Sequence, residues 1–215
     1  MKLTASAALT VALLAGCASQ APLPVTELSY QQWERHQQAV QTLDQWSILG
    51  RVSLFDGDDV YNLGMSWTRN GENHQLKLNA ALGQGVILID KDSQSASLTT
   101  TEGKIYQDAS AQQLLMNVAQ LMIPVEGLET WIKGIPHNRS SAQPEIDGAG
   151  RARTLAQDGW KVNFFEYQSI EFDQRALNLP RKIYMKHDQL ALKIVIDQWQ
   201  PEISQDIAPL FPAID

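Results

Sequence analysis

The chain has 215 residues, 24 acidic side chains against 17 basic ones, a formal charge of −7, a single cysteine and 44% hydrophobic residues. That length and apolar content supply a real core for one sizeable domain, and a lone cysteine excludes an internal disulfide. The acidic balance argues against nucleic acid and against a polybasic membrane patch, so any contact with lipid has to be apolar.

The first segment carries Lys2, an apolar run from Leu3 to Leu14, then Ala15, Gly16 and Cys17. A basic start, an apolar stretch of about 7 to 15 residues and small residues before a cut describe a secretory signal, too short to span a bilayer. The cut falls after Gly16, which makes residues 1–16 the signal and takes one positive charge from the mature chain. Leu13-Leu14-Ala15-Gly16-Cys17 resembles the lipobox of bacterial lipoproteins, and that resemblance implies acylation at Cys17. Each buried CH₂ contributes about 0.8 kcal/mol, so several acyl chains give an effectively permanent tether. Ala18 and Ser19 stand where an aspartate commonly retains such proteins in the inner membrane. The resemblance therefore implies the periplasmic face of the outer membrane, with Cys17 as the lipid anchor. The alternative is an ordinary secreted protein with a chance cysteine near its cleavage site. Residues 17–28, with Pro22 and Pro24, lack a core-forming pattern and read as an acylated N-terminus and a semi-extended linker.

The folded part begins with a helix expected over Ser29 to Leu43, where Ser29 with Gln32 fits a capping box and Trp33, Val40 and Leu43 share a face. The period then changes to two. Trp46, Ile48, Val52 and Leu54 fall on one side of a strand, and Gly50 in its middle marks a bend or bulge. Asp56-Gly57-Asp58-Asp59 is turn chemistry, after which Tyr61, Leu63, Met65 and Trp67 share a face of the next strand. Asn70-Gly71 makes a tight turn into a strand carrying Leu76 and Leu78. Shorter alternating runs follow at Val86 to Asp90, Ser95 to Thr100 and Lys104 to Gln107.

Helix then interrupts. Ser110 with Gln113 repeats the capping signature, and Leu114, Leu115, Val118, Leu121 and Met122 form an apolar stripe that Pro124 ends. A shorter helix is expected over Leu128 to Lys133, stopped by Gly134 and Pro136. After a polar loop, strands resume at Arg151 to Ala156, Trp160 to Tyr167, Leu179 to Lys186 and Leu190 to Trp199. This makes roughly ten or eleven strands in an antiparallel sheet or open barrel. Residues 200–215, with Pro201, Pro209 and Pro212, read as a poorly ordered tail, so the domain is expected over 29–199.

Trp46 to Arg51 (Trp-Ser-Ile-Leu-Gly-Arg), Leu78 to Gly85 (Leu-Asn-Ala-Ala-Leu-Gly-Gln-Gly), Trp131 to Pro136 (Trp-Ile-Lys-Gly-Ile-Pro) and Gly159 to Tyr167 resemble, in order and spacing, the LolB family of outer-membrane lipoprotein receptors. The resemblance covers about Ser29 to Trp199. It implies a mainly β fold with some α: a half-open antiparallel barrel of about eleven strands, with a helical lid over an apolar cavity. It also implies the function: the cavity takes the acyl chains of a lipoprotein from the periplasmic carrier LolA and passes the cargo to the outer membrane. Trp46, Ile48, Val52, Leu54, Leu63, Met65, Trp67 and Leu76 of the sheet, with Leu114, Val118 and Met122 of the helix, are the cavity candidates. Burial is non-directional, so such a wall would accept many cargoes. From the residues alone they read equally as the filled core of a structural outer-membrane lipoprotein, which stays the alternative.

Leu82 and Gly83 stand at a hairpin tip that is ordinarily polar, and an exposed large apolar residue there calls for a partner. In the family a protruding loop of this kind carries a leucine, usually after proline, that contacts the membrane. Here Ala81 replaces that proline, which leaves the loop less rigid; the bland reading folds Leu82 back into the core. His36, His74, His137 and His187 have no metal-ligand spacing and read as solvated or turn residues. Glu166 with Glu171, and Asp56 with Asp58, read as solvated acids, and no nucleophile elbow or phosphate loop is present. The expectation is a monomeric transfer protein without enzymatic chemistry, cofactor, metal or nucleic-acid partner, whose partners are LolA, lipoprotein acyl chains and outer-membrane lipid.

Overall fold

The computed structural model describes residues 23–80 and 85–201. Cys17, Leu82, Gly83 and all but the start of the C-terminal tail lie outside the described residues. The chain runs α1 (Glu27–Gln41), β1 (Gln45–Asp56), β2 (Asp59–Asn70), β3 (Asn73–Ala80), β4 (Val86–Lys91), β5 (Ala96–Thr99) and β6 (Ile105–Asp108). It continues through α2 (Ala111–Ala119), α3 (Val125–Trp131), β7 (Ala142–Ile146), β8 (Ala152–Gln157), β9 (Trp160–Phe172), β10 (Arg175–His187) and β11 (Leu190–Gln200). All eleven strands form one antiparallel sheet in the order β6-β5-β4-β3-β2-β1-β11-β10-β9-β8-β7, so the first and last strands meet at its centre and β6 and β7 are its unclosed edges. The half-open antiparallel architecture expected from the sequence is the one observed.

The register shows why the sheet has one apolar face. Leu155, Val162, Met185, Leu192 and Leu54 face one another across β8, β9, β10, β11 and β1. The next row holds Phe164, Ile183, Ile194, Val52 and Leu63, and further along Trp199, Ile48, Trp67, Leu76, Ile89 and Leu98 make a row from β11 to β5. Side chains in a strand alternate between faces, so these local period-two patterns add up to one continuous wall only because the registers agree. At Leu49/Gly50 the β1–β11 register shifts. A Cβ on Gly50 would collide with the Val195 carbonyl oxygen, so the close approach at this bulge admits only glycine.

Three helical expectations shift. The first helix starts before Ser29: Thr26 is the N-cap, its N–H donates to Ser29 Oγ at 3.1 Å, and Ser29 Oγ donates to the Gly148 carbonyl at 2.9 Å. The second does begin at Ser110, whose Oγ accepts from the Gln113 N–H at 3.2 Å, but it ends at Gln120, a left-handed residue with φ of 58°. The third begins three residues earlier than expected, directly after Pro124, which is its N-cap. Strand β7 fell within the expected polar loop; Ala142-Gln143-Pro144-Glu145-Ile146 is an edge strand with a mostly solvated surface, which explains both the proline and the missing apolar signal. The β9–β10 hairpin also runs further than expected, to a turn at Asp173 and Gln174 with φ of 48° and 58°.

Candidate functional site

The inner wall brings most of the cavity candidates together. Trp46, Ile48, Val52, Leu54, Met65 and Trp67 are buried in one contiguous cluster, with Leu63 and Leu76 half-buried against it. α1 contributes Trp33 and Val40 to that cluster, and α3 contributes Leu128 and Trp131. Trp131 is fixed in place by its neighbours: its Nε1 donates to Gln157 Oε1 at 2.9 Å, and Gln157 Nε2 donates to the His137 carbonyl at 2.8 Å. The α3 end is thereby bonded to β8 and its turn, where His137 Nε2 lies 2.7 Å from Asp158 Oδ2.

The helix α2 sits elsewhere. Leu114 is buried with Ile89, Ala96, Leu98 and Val125 in a second cluster over β4 and β5, and Val118 packs on its border. Leu76 touches both clusters. Met122 is a correction: α2 ends before it, so it leaves the apolar stripe and is 59% exposed. The helical period cannot be carried through Gln120, whose backbone turns left-handed.

Beside the apolar rows lies a charged one that the sequence reading missed. Arg69, His74 and Lys91 face one another across β2, β3 and β4, in the row that begins with Trp46 on β1. Glu129 descends on them from α3, with Oε1 3.2 Å from Lys91 Nζ and Oε2 3.8 Å from an Arg69 nitrogen. Burial raises the Glu129 carboxyl, while Lys91 and Arg69 oppose that rise. Burial, followed by Lys91, Arg69 and Lys133, holds the His74 imidazole down to about 3. His74 Nε2 therefore stands 3.5 Å from Glu129 as a neutral group at physiological pH, and no ion pair forms there. Lys133, also buried, donates to the Leu43 carbonyl at 3.3 Å; burial and then Arg69 lower its ammonium to about 8. The signal was present in the strand parity, since Arg69 has the parity of Met65 and Trp67, and His74 that of Leu76 and Leu78. His74 and His137 are buried, against the expectation that both were solvated or in turns. Among the described residues no group of three or more His, Cys, Asp or Glu is placed to hold a metal. Glu166 is half-buried and pairs with Arg181 and Lys182.

The end of the sheet nearest the Asp56–Asp59 turn is different in character. Val60 and Tyr61 are exposed there, and Ala80, paired with Leu63, ends β3 at the same end. Between α1 and the β9–β10 hairpin, Gln32, Arg35, Arg151, Asp173, Arg175 and Leu177 border an open groove of about 910 Å³ with a mixed polar and apolar lining.

A family model described as "Outer membrane lipoprotein LolB" matches residues 44–199, most of the chain and all of the sheet but its last residue. The chain belongs to the LolB family. Among curated relatives, the outer-membrane lipoprotein LolB of Vibrio cholerae serotype O1 is 31% identical over 87% of this chain and 90% of its own length. LolB of Shewanella loihica is 32% identical over 93% of this chain and 88% of its own. A DUF1329 family protein from Desulfovibrio piger has a similar fold, with a TM-score of 0.50 at 10% identity, covering 85% of this chain and 95% of that one. In LolB terms, the match begins just before β1 and ends at Trp199, so it contains the second cluster, the charged row, and the first cluster apart from Trp33, Val40 and Leu43.

Proposed function

We propose that this LolB-family chain is an outer-membrane lipoprotein that accepts other lipoproteins from the carrier LolA by holding their acyl chains against the inner wall, and inserts them into the outer membrane. Cys17 anchors it to the periplasmic face of that membrane. The observation that carries the reading is the wall itself: rows of apolar side chains run unbroken across adjacent strands of an unclosed sheet, under helices that cover it from one side. Each CH₂ of a cargo chain costs about 0.8 kcal/mol in water, so transfer needs only a surface that takes up hydrocarbon and a bilayer that takes it up better. No covalent step is required. Val60 and Tyr61, exposed at the sheet end where β3 stops, support a membrane-facing role for that end, to which the Leu82–Gly83 segment is joined in sequence.

The test separates acceptance from delivery. Labelled lipoprotein is transferred from LolA to the chain with Cys17→Ala, and then from that chain to liposomes. Leu82→Glu is expected to accept cargo normally and deliver it poorly, because an ionised carboxylate resists the bilayer interface, while its folding stability changes by no more than about 0.5 kcal/mol. Leu82→Phe should deliver normally. Unimpaired delivery by Leu82→Glu would discard the membrane-contact role, and failure of the parent chain to take up any acyl chain would favour a scaffold lipoprotein with a filled core.

A further inference from the structure

Buried indoles along the inner wall treat their N–H groups in two ways. Trp131 Nε1 donates to Gln157 Oε1 at 2.9 Å, and Trp199 Nε1 donates to the Pro180 carbonyl at 3.1 Å. Trp46 and Trp67, both fully buried with ring centroids 5.3 Å apart, meet no acceptor among the described residues. The adjacent His74 ring, 6.1 Å from Trp67, has both nitrogens without a hydrogen-bond partner as well. A buried donor left unpaired loses its hydration and gains nothing in return, and native structures contain few such groups. Two neighbouring ones on a wall where phenylalanine would pack without that loss point to an acceptor from outside the fold.

Their position narrows what the acceptor is. Trp67 stands in the apolar row with Ile48 and Leu76, and Trp46 heads the row of Arg69, His74 and Lys91, so the pair sits where hydrocarbon wall gives way to polar wall. An acylated cysteine has the same division, with its ester and amide carbonyls at the root of the alkyl chains. We propose that the Trp46 and Trp67 N–H groups hydrogen-bond the ester carbonyl oxygens at the head of a bound acyl chain, leaving its hydrocarbon along Met65 and Leu63. The proposal rests on the acyl-chain reading above and adds what burial cannot supply, since burial is non-directional and does not place a chain end. The recognition would be blind to the cargo polypeptide, because every such cargo carries the same carbonyls.

Equilibrium binding is measured on the full chain carrying Cys17→Ala with two probes, a cysteinyl peptide bearing an S-linked diacylglyceryl group and its dialkyl ether analogue without ester carbonyls. The ester probe is expected to bind about tenfold more tightly, the range for one or two net hydrogen bonds. Replacing Trp46 or Trp67 by 3-benzothienylalanine keeps the bicycle and removes the N–H; it should weaken the ester probe severalfold and leave the ether probe unchanged. Trp46→Phe and Trp67→Phe should do the same, with a denaturation midpoint recorded beside each. The ¹³C-labelled ester carbonyl stretch should move to lower wavenumber on binding to the parent chain, a readout that needs no variant to fold. Equal affinity for both probes with an unshifted carbonyl overturns the proposal, leaves the acyl-chain reading intact, and assigns the two N–H groups to the faces of neighbouring rings, which meet at 73°. Binding of neither probe overturns both.

Discussion

His74 has a composition-level reading, a polar residue in a hairpin strand, that its surroundings reverse. It is buried between Trp67 and the cations Arg69 and Lys91, and it is kept neutral by burial first and by those charges second. Between pH 6.5 and about 3 the unfolded chain holds a proton on this imidazole that the folded chain refuses. Stability should therefore fall as pH drops through that window, by up to about 1.4 kcal/mol per unit. Glu129 acts in the opposite sense, because burial raises its carboxyl and the folded chain takes up that proton earlier. His74→Gln isolates the histidine: between pH 7 and pH 4 the variant should lose about 1 to 3 kcal/mol less than the parent in urea denaturation. Equal losses would mean that the imidazole is not held neutral in the fold. The polar cluster was half legible, since parity turns Arg69 and His74 inward. Glu129, coming from a helix far along the chain, was not.

At the scale of the element, β1 shows how one residue shapes a strand. It pairs without interruption to β2 but shifts register against β11 at Gly50, where the Val195 carbonyl lies in the space a Cβ would occupy. Gly50→Ala should cost about 2 kcal/mol or more, because backbone rather than a flexible side chain has to move. Gly64 in β2 is the control: its nearest neighbour to an added Cβ is the Asn79 oxygen at 3.8 Å, so Gly64→Ala should stay within about 0.5 kcal/mol. Denaturation midpoints of the two variants decide it, and equal small losses would show that the bulge can relax. The bulge was legible as a glycine inside an alternating run. The early end of α2 was not, because nothing in Leu121 and Met122 announces the left-handed turn at Gln120.

For the whole molecule, the proposed attachment at Cys17 would fix where the wall operates. Cys17→Ala should release the mature chain from the outer-membrane fraction, or leave the precursor uncleaved at the inner membrane, as read by fractionation and immunoblot. Mature variant protein still firmly in the outer membrane would show another anchor. Loss of the anchor should leave the wall untouched, so the released chain should still take up acyl chains while delivering them without regard to which bilayer is near.

The sequence by itself determined the elements whose causes are local: the alternating strands, the turns at Asp56–Asp59 and Asn70-Gly71, the Ser110 cap and the family motifs. These depend on the conformational preferences of a few consecutive residues, which a single chain displays openly. Tertiary structure decided which alternating faces joined into one wall, because that depends on register between strands as distant as β1 and β11. It also put Leu114 over β4 and β5 instead of the central strands, brought Glu129 down on Arg69 and Lys91, and left two indole N–H groups without partners. Those are matters of long-range packing, and periodicity, which reports only the face a residue belongs to, is silent on what that face meets.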